Sequence, residues 1–178
     1  MKRSEINRLM NESLDVAEEH GFLLPPFAHW SPVDWREKGL ECRNIVRQQL
    51  GWDITDFGSG DFRKIGLVLF TVRNGDLEKQ DNTYCEKIMT ADENQVTPMH
   101  YHWKKMEDII NRGGGNLVVE LYRGTEEGEL TDDDVTVSND GGEKTFKAGE
   151  KVYIKPGQSI TLKPYVYHRF YGEDGRGK

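Results

Sequence analysis

The sequence contains little cysteine and no long apolar run. Cys42 and Cys85 are its only cysteines, and neither lies in a CxxC motif. Two thiols cannot form a disulfide framework, so both are predicted to be ordinary buried or half-buried thiols. No apolar stretch approaches the length of a membrane span, and "MKRSEINRLM" lacks the apolar core of a signal peptide. These features predict a cytoplasmic protein that does not enter a membrane.

An excess of positive charge is also missing. The 178 residues carry a formal net charge of −7. Nucleic acids and membrane surfaces are themselves negatively charged, so the composition predicts binding to neither. With 35% hydrophobic and 31% charged residues, the chain has the composition of a single soluble globular domain.

The pattern of apolar residues changes along the chain. Helical spacing dominates the start, and Ser31, Pro32 and Gly39 supply the N-cap, first residue and terminator of a second short helix. After about residue 62, many short apolar segments follow, with turn residues between them. That pattern predicts an antiparallel β-sandwich or β-barrel. The predicted organisation is one domain over residues 1–178, with a helical lobe at about 1–58 packed on a β-barrel at about 62–178.

A triple glycine at residues 113–115 precedes the strand-like "NLVVELYR". A phosphate-binding loop needs a helix after it and usually a Gly-Lys-Ser/Thr ending. The glycines are therefore predicted to form a hairpin turn.

Histidine and glutamate are concentrated in "MHYHWKKMEDII". Side chains two residues apart on a strand project to the same face, so His100 and His102 are predicted to point together. Glu107 lies an odd number of residues further on, and an unbroken strand would turn it away. A turn or bulge near Trp103 and Lys104 would bring Glu107 to the side of the histidines.

A third histidine, His168 in "PYVYHRF", lies in a later predicted strand. Three imidazoles and one carboxylate suit a divalent Mn, Fe, Co, Ni or Zn ion, whereas Ca²⁺ and Mg²⁺ prefer oxygen ligands. The alternative is that these side chains only alternate on a solvated strand. The spacing of Glu107 and the added His168 favour a metal site formed by His100, His102, Glu107 and His168.

The spacing His100-x-His102-x4-Glu107, followed by Gly113 and a later histidine, resembles the two motifs of the cupin superfamily. The second motif departs from the usual Pro-x-Gly-x-x-His, because "PYVYH" stands in its place. More specifically, "YCEKIMTADENQ", "ENQVTPMHYHWKKMEDIINRGGGNLVVELY" and "GQSITLKPYVYHRFYGE" resemble the D-lyxose isomerases of that superfamily. The resemblance covers most of the chain, including "FAHWSP" near its start.

The resemblance implies a mainly β fold, a cupin-type antiparallel barrel of the jelly-roll kind with N-terminal α-helices. It implies interconversion of D-lyxose and D-xylulose, with D-mannose and D-fructose as further sugars of the family. It also implies a homodimer and a divalent cofactor of the Mn²⁺ type, and it assigns the same four residues as its ligands.

The end of the sequence departs from the family pattern. After "YGEDGRGK" the family is expected to continue with a strand of the type "GEVS", whose glutamate acts as acid and base, and then a tail with acidic residues and arginine. A chain of residues 1–178 is therefore expected to bind a divalent ion but to isomerise D-lyxose far more slowly than an extended version.

Other polar and aromatic residues are weaker candidates. Lys105, beside the predicted ligands, is the candidate catalytic base or electrostatic helper. Candidates for binding a sugar are Lys87, Gln95, Thr97, Trp30 and Phe70, although aromatic side chains more often belong to a core. Two other functions remain open: an Fe²⁺-dependent cupin dioxygenase, and a non-catalytic cupin that binds a sugar or a metal.

Overall fold

The computed structural model describes residues 1–75 and 83–175, which form two compact units. The first unit comprises Met1–Thr55 with Val68–Thr90, and the second comprises Asp56–Leu67 with Ala91–Lys178. The predicted single domain, with its lobe at 1–58 and its barrel at 62–178, stays a prediction.

The first unit contains the helices and a three-stranded sheet. The helices are α1 (Arg3–Glu19), α2 (Pro32–Glu37) and α3 (Arg43–Arg47), with 3-10 turns at Pro26–Ala28 and Leu40–Cys42. The strands are β1 (Gly51–Thr55), β2 (Leu67–Arg73) and β3 (Glu86–Thr90), in the order β1-β2-β3.

Local sequence explains where these helices lie. The buried side chains of α1, Leu9, Ser13 and Ala17, recur every four residues and so share one helix face. Helix α2 begins as predicted: Pro32 is its first residue, and Ser31 and Asp34 cap each other reciprocally. Among the described residues, no helix is long and apolar enough to cross a membrane.

The second unit consists of β-strands. They are β4 (Thr97–His100), β5 (Glu107–Ile110), β6 (Asn116–Gly124), β7 (Leu130–Thr131), β8 (Val135–Asn139), β9 (Gly142–Phe146), β10 (Lys151–Ile154), β11 (Ser159–Leu162) and β12 (Val166–Glu173). One sheet has the order β10-β6-β12-β4, with β7 also paired to β6, and the other has the order β5-β11-β8-β9. Every strand pairing in these two sheets is antiparallel. The predicted mainly β, antiparallel fold with N-terminal α-helices is confirmed.

The core of the second unit comes mainly from β6, β10 and β11. Its fully buried apolar side chains include Val118, Val119, Leu121, Ile154, Ile160 and Leu162. Strand β6 lies between β10 and β12, and five consecutive residues of it are buried. Both faces of β6 are therefore covered, which explains why Leu117, Val118 and Val119 are consecutive apolar residues and do not alternate with polar ones.

The predicted hairpin turn at residues 113–115 is wrong. Strand β5 pairs with β11, whereas β6 pairs with β10 and β12. The glycines therefore lead the chain from one sheet to the other. Gly114 adopts a φ of +89°, a left-handed conformation that glycine takes without strain.

Candidate metal centre

Four side chains of the second unit converge on one point. Each of them offers one nitrogen or oxygen atom, and these four atoms lie within 4.8 Å of one another. Donors at about 2.1 Å from an ion in octahedral geometry would be about 3.0 Å apart when adjacent and about 4.2 Å apart when opposite. The observed spacing is thus close to what one ion requires. The residues are His100, His102, Glu107 and His168.

A bulge in β4 places the first histidine. His100 pairs directly with His168 of β12, and Thr97 pairs with Phe170. Two residues of β4, Pro98 and Met99, therefore lie opposite a single residue of β12, which is a β-bulge. Proline fits there because β4 is the edge strand of its sheet, so its missing N–H leaves no ladder bond unmade.

A bend after β4 brings in the next two members. His102 lies beyond the end of β4, and a bend at Trp103 and Lys104 precedes β5, which begins at Glu107. The Oε2 of Glu107 lies 3.1 Å from the Nε2 of His102 and 3.4 Å from the Nε2 of His168. The predicted change of direction near Trp103 is confirmed.

Backbone carbonyls orient two of the imidazoles. The Nδ1 of His100 lies 2.8 Å from the carbonyl oxygen of Pro98, and the Nδ1 of His168 lies 2.9 Å from that of Val166. A carbonyl can only accept, so Nδ1 carries the proton in both rings. Each Nε2 then has a free lone pair, which is the state that a metal ligand needs.

The surroundings favour neutral imidazoles and an ionised carboxylate. Burial lowers the pKa of His100, and its hydrogen bond to Pro98 offsets only part of that effect. Burial and the nearby Lys105 lower the pKa of His102. Burial raises the pKa of the Glu107 carboxyl, but opposing effects, among them the positive charge of Lys105, outweigh it and hold that pKa below its usual range. These are the protonation states in which the three groups bind cations.

The buried nitrogen of His168 tests whether the cluster suits a metal. His168 is 0% exposed, and its Nε2 makes no hydrogen bond among the described residues. Glu107 Oε2, at 3.4 Å, is too distant for a good hydrogen bond. A polar atom buried without a partner is costly, and a metal ion bound to Nε2 would satisfy it. The residues present therefore fit a divalent ion.

Lys105 lies beside the cluster. Its Nζ is 3.3 Å from Oε1 of Glu107. The histidines face the other carboxylate oxygen, Oε2. The Lys105 side chain is 54% exposed, whereas that of Glu107 is 23% exposed. Lys105 thus combines contact with the cluster and access to solvent.

Two of the predicted sugar-binding residues also lie in this unit. Gln95 is 1% exposed, and its amide accepts from the Asp92 N–H and donates to the Phe62 carbonyl. Thr97 is 3% exposed, and its Oγ1 has no hydrogen-bond partner among the described residues. Because Thr97 pairs with Phe170, two residues from His168, Thr97 projects to the face of the sheet that carries His168.

The other three predicted sugar-binding residues lie in the first unit. Lys87 is exposed on β3. Trp30 and Phe70 belong to an aromatic cluster in which the Phe27 ring is 6.3 Å from Trp30 and 5.2 Å from Phe70. Phe70 is 1% exposed. The contacts of Lys87, Trp30 and Phe70 with a sugar stay predictions.

Sequence reasoning missed the groups that orient the ligands. The carbonyls of Pro98 and Val166 belong to the backbone, so no side-chain pattern marks them. It also missed that His102 lies outside β4 and that the bulge at Pro98 sets the direction of Thr97. The proline inside a strand was the one available signal for that bulge.

Comparison with known proteins adds independent information. Residues 1–177 match the profile of the D-lyxose isomerase family. A D-lyxose/D-mannose isomerase of Serratia proteamaculans is 45% identical over 180 aligned residues, which cover 99% of this chain and 79% of that protein. A protein of the same name from Escherichia coli O157:H7 is 44% identical with the same coverage. The structure of an L-ribose isomerase from Cellulomonas parahominis is 13% identical, with a TM-score of 0.47, covering 98% of this chain and 85% of that one.

Proposed function

The chain belongs to the D-lyxose isomerase family, and on that premise we propose that it is a metal-dependent aldose–ketose isomerase. The proposed reaction interconverts D-lyxose and D-xylulose through an enediol intermediate, with D-mannose and D-fructose as a second pair of sugars. The observation that carries the proposal is the convergence of three imidazoles and one carboxylate, with a lysine beside them.

The proposed cofactor is one divalent ion held by His100, His102, Glu107 and His168. Mn²⁺ is the first candidate, and Fe²⁺, Co²⁺, Ni²⁺ and Zn²⁺ suit the same donors. When bound, such an ion polarises a sugar carbonyl and stabilises negative charge on the neighbouring oxygens. Four protein donors would not saturate such an ion, so it could also bind sugar oxygens.

Lys105 is the proposed catalytic residue. Isomerisation moves a proton between C2 and C1 of the sugar, and negative charge develops on the oxygens of these carbons. The Lys105 Nζ is positively charged when it pairs with Glu107, so the ion pair favours electrostatic stabilisation of that charge over a role as the base. Half exposure leaves the Lys105 side chain free to reach a sugar oxygen.

Thr97 is the best supported of the proposed sugar-binding residues. Its buried hydroxyl has no partner among the described residues and projects to the face that carries His168. A sugar hydroxyl could both donate to and accept from this group. The Gln95 amide is already hydrogen-bonded at both ends, so its proposed contribution is to hold the chain that leads into β4.

An anaerobic assay with D-lyxose and Mn²⁺, combined with metal analysis, tests this function. We expect D-xylulose to form although no oxygen is present. Lys105→Ala should lower turnover by about 10²–10⁴-fold, the range for a group acting in the transition state, with the metal content unchanged. Lys104→Ala is the matched control, because it removes the neighbouring lysine and should keep turnover.

The other outcomes of that assay identify the competing functions. In a parallel aerobic assay, oxygen consumption with a diketone or thiol substrate would indicate a dioxygenase. Metal or sugar binding without turnover would indicate a binding protein, and equal turnover in the Lys105 and Lys104 variants would remove Lys105 from the mechanism.

A homodimer and a cytoplasmic location are further parts of the proposal. The first comes from the family resemblance, and edge strands that need covering support it. Light scattering at micromolar concentration should give a mass of twice 20.5 kDa. A single species near 20.5 kDa would contradict the dimer.

A further inference from the structure

His102 differs from the other members of the cluster in how its backbone is held. His100 pairs with His168 in the ladder between β4 and β12, and Glu107 pairs with Leu162 in the ladder between β5 and β11. His102 follows β4 and belongs to no strand. Some other contact must therefore fix its position.

The turn at Tyr165 provides a backbone contact to His102. The Tyr165 N–H donates to the His102 carbonyl at 3.0 Å, and the Tyr165 carbonyl accepts from the Gly124 N–H at 2.8 Å. A Cβ at Gly124 would lie 2.6 Å from the Tyr165 carbonyl oxygen, so only glycine allows this approach. The turn thus connects His102 to the end of β6.

Tyr165 adopts an unusual backbone conformation to make these two bonds. Its φ is +65°, in the left-handed region that non-glycine residues seldom occupy. Such conformations persist where the surrounding structure over-determines them, and they cluster at functional sites. The bonds to His102 and Gly124 are two of those constraints.

Aromatic rings surround the same turn. We call the side chains of Tyr101, Trp103, Tyr165 and Tyr167 the aromatic collar. The Tyr101 ring lies 4.9 Å from Trp103, 6.3 Å from Tyr165 and 4.5 Å from Tyr167, and Trp103 lies 5.8 Å from Tyr165. The Tyr167 hydroxyl donates to the Gly128 carbonyl at 2.6 Å, which fastens one side of the collar.

The collar includes both sequence neighbours of His102. Tyr101 and Trp103 flank the ligand, and each packs on Tyr165, whose N–H holds the His102 carbonyl. Ring packing therefore holds Tyr101 and Trp103, and the backbone bond holds His102 between them. Together they substitute for the strand ladder that His102 lacks.

We propose that Tyr165 and the aromatic collar are positioning elements that hold His102 in the orientation needed to bind the divalent ion. The proposal rests on the proposed function only in taking His102 as a metal ligand. Removing a group that orients a metal ligand typically lowers metal affinity by about 10–100-fold.

Titration of the full chain with Mn²⁺ alone tests the proposal. Tyr165→Gly keeps the left-handed backbone and removes the ring, and should weaken Mn²⁺ binding by about 10–100-fold. Tyr165→Phe keeps the ring and should bind as the wild type does. Trp103→Ala, at a 53% exposed position, should weaken binding in the same direction with little risk to folding. Tyr153→Ala, at a 50% exposed tyrosine outside the collar, is the matched control and should bind normally.

A double-mutant cycle shows whether the effect passes through His102. In a His102→Ala background, Tyr165→Gly should lower Mn²⁺ affinity by less than about 3-fold, because the residue that it positions is gone. Water-proton relaxation should also show one more water on the bound Mn²⁺ in Tyr165→Gly than in the wild type. An equal loss of affinity in both backgrounds, or in Tyr153→Ala or Tyr165→Phe, would overturn the proposal.

The outcomes separate this inference from the proposed function. If the wild type, Tyr165→Gly and Trp103→Ala all bind Mn²⁺ equally well, the positioning role of the collar is refuted and the metal site is not. A wild type that binds none of the candidate divalent ions refutes the metal site and the collar with it.

Discussion

Replacing His168 with leucine should change stability in opposite directions in the absence and presence of a divalent ion. Without metal, the buried Nε2 of His168 has no hydrogen-bond partner among the described residues. Such an atom costs about 1–3 kcal/mol, which leucine removes, while the lost Nδ1 bond to Val166 costs about 1 kcal/mol. The free energy of unfolding of the metal-free variant should therefore exceed that of the metal-free wild type by about 0–2 kcal/mol.

With metal bound, the wild type should be more stable than His168→Leu. An ion at a thousand times its Kd stabilises the folded wild type by about 4 kcal/mol. Structural zinc contributes about 10–16 kcal/mol through four ligands, so one lost donor is worth about 3 kcal/mol, or about 10²-fold in affinity. At the same concentration the variant then gains only about 1.4 kcal/mol from the ion.

Thermal unfolding followed by circular dichroism, with Mn²⁺ and with a chelator, measures both effects. For a chain of this length, 1 kcal/mol corresponds to about 2–4 °C, so Mn²⁺ should raise the wild-type midpoint by about 8–16 °C and the variant midpoint by about 3–6 °C. His29→Leu is the control, because His29 is exposed and outside the cluster, and it should keep the wild-type shift. Equal metal-dependent shifts in the wild type and His168→Leu would refute the reasoning. So would a metal-free variant destabilised by several kcal/mol, which would make His168 a core residue.

Two further substitutions test the packing around the site. Glu120→Gln should destabilise the protein by about 1.5–3 kcal/mol in urea unfolding, because the 8% exposed carboxylate accepts two bonds from Arg169 and one from Tyr122. Mn²⁺ affinity should stay unchanged in this variant, and a large loss would mean that the pair supports the ligands. Gly66→Ala should cost about 1–3 kcal/mol in the same assay, since the added Cβ would lie 2.3 Å from the Phe62 carbonyl oxygen. Unaltered stability would show that the backbone around Gly66 and Phe62 can move far enough to admit the added Cβ.

Local sequence predicted the features that depend on local chemistry. The N-cap at Ser31 depends on its immediate neighbours in the chain, and the cluster of His100, His102 and Glu107 needed one bend in eight residues. His168, whose partner strand is distant in sequence, was predicted from its place in a later strand, and the family resemblance assigned it the same role. Each of these predictions relied on a side chain whose type is tied to its role.

Features that depend on strand pairing could not be predicted in the same way. The bulge in β4 exists because Thr97 and His100 pair with residues of β12 that are only two apart. The glycines at 113–115 cross between sheets because β5 and β6 have different partners, although they are consecutive in sequence. Likewise, the left-handed Tyr165 has no compositional signal, since tyrosine seldom takes that conformation. Long-range strand pairing determined the first two features, and Tyr165 is held by hydrogen bonds to the distant residues His102 and Gly124.

The central claim is that isomerisation depends on one divalent ion held by the four-residue cluster. Stepwise addition of Mn²⁺ to metal-stripped protein, with D-xylulose formation from D-lyxose measured at each step, tests it most directly. Activity should rise with bound Mn²⁺ and saturate at one ion per chain. Undiminished turnover by the metal-stripped protein, or binding of the ion at this cluster with no turnover of D-lyxose or D-mannose, would contradict it.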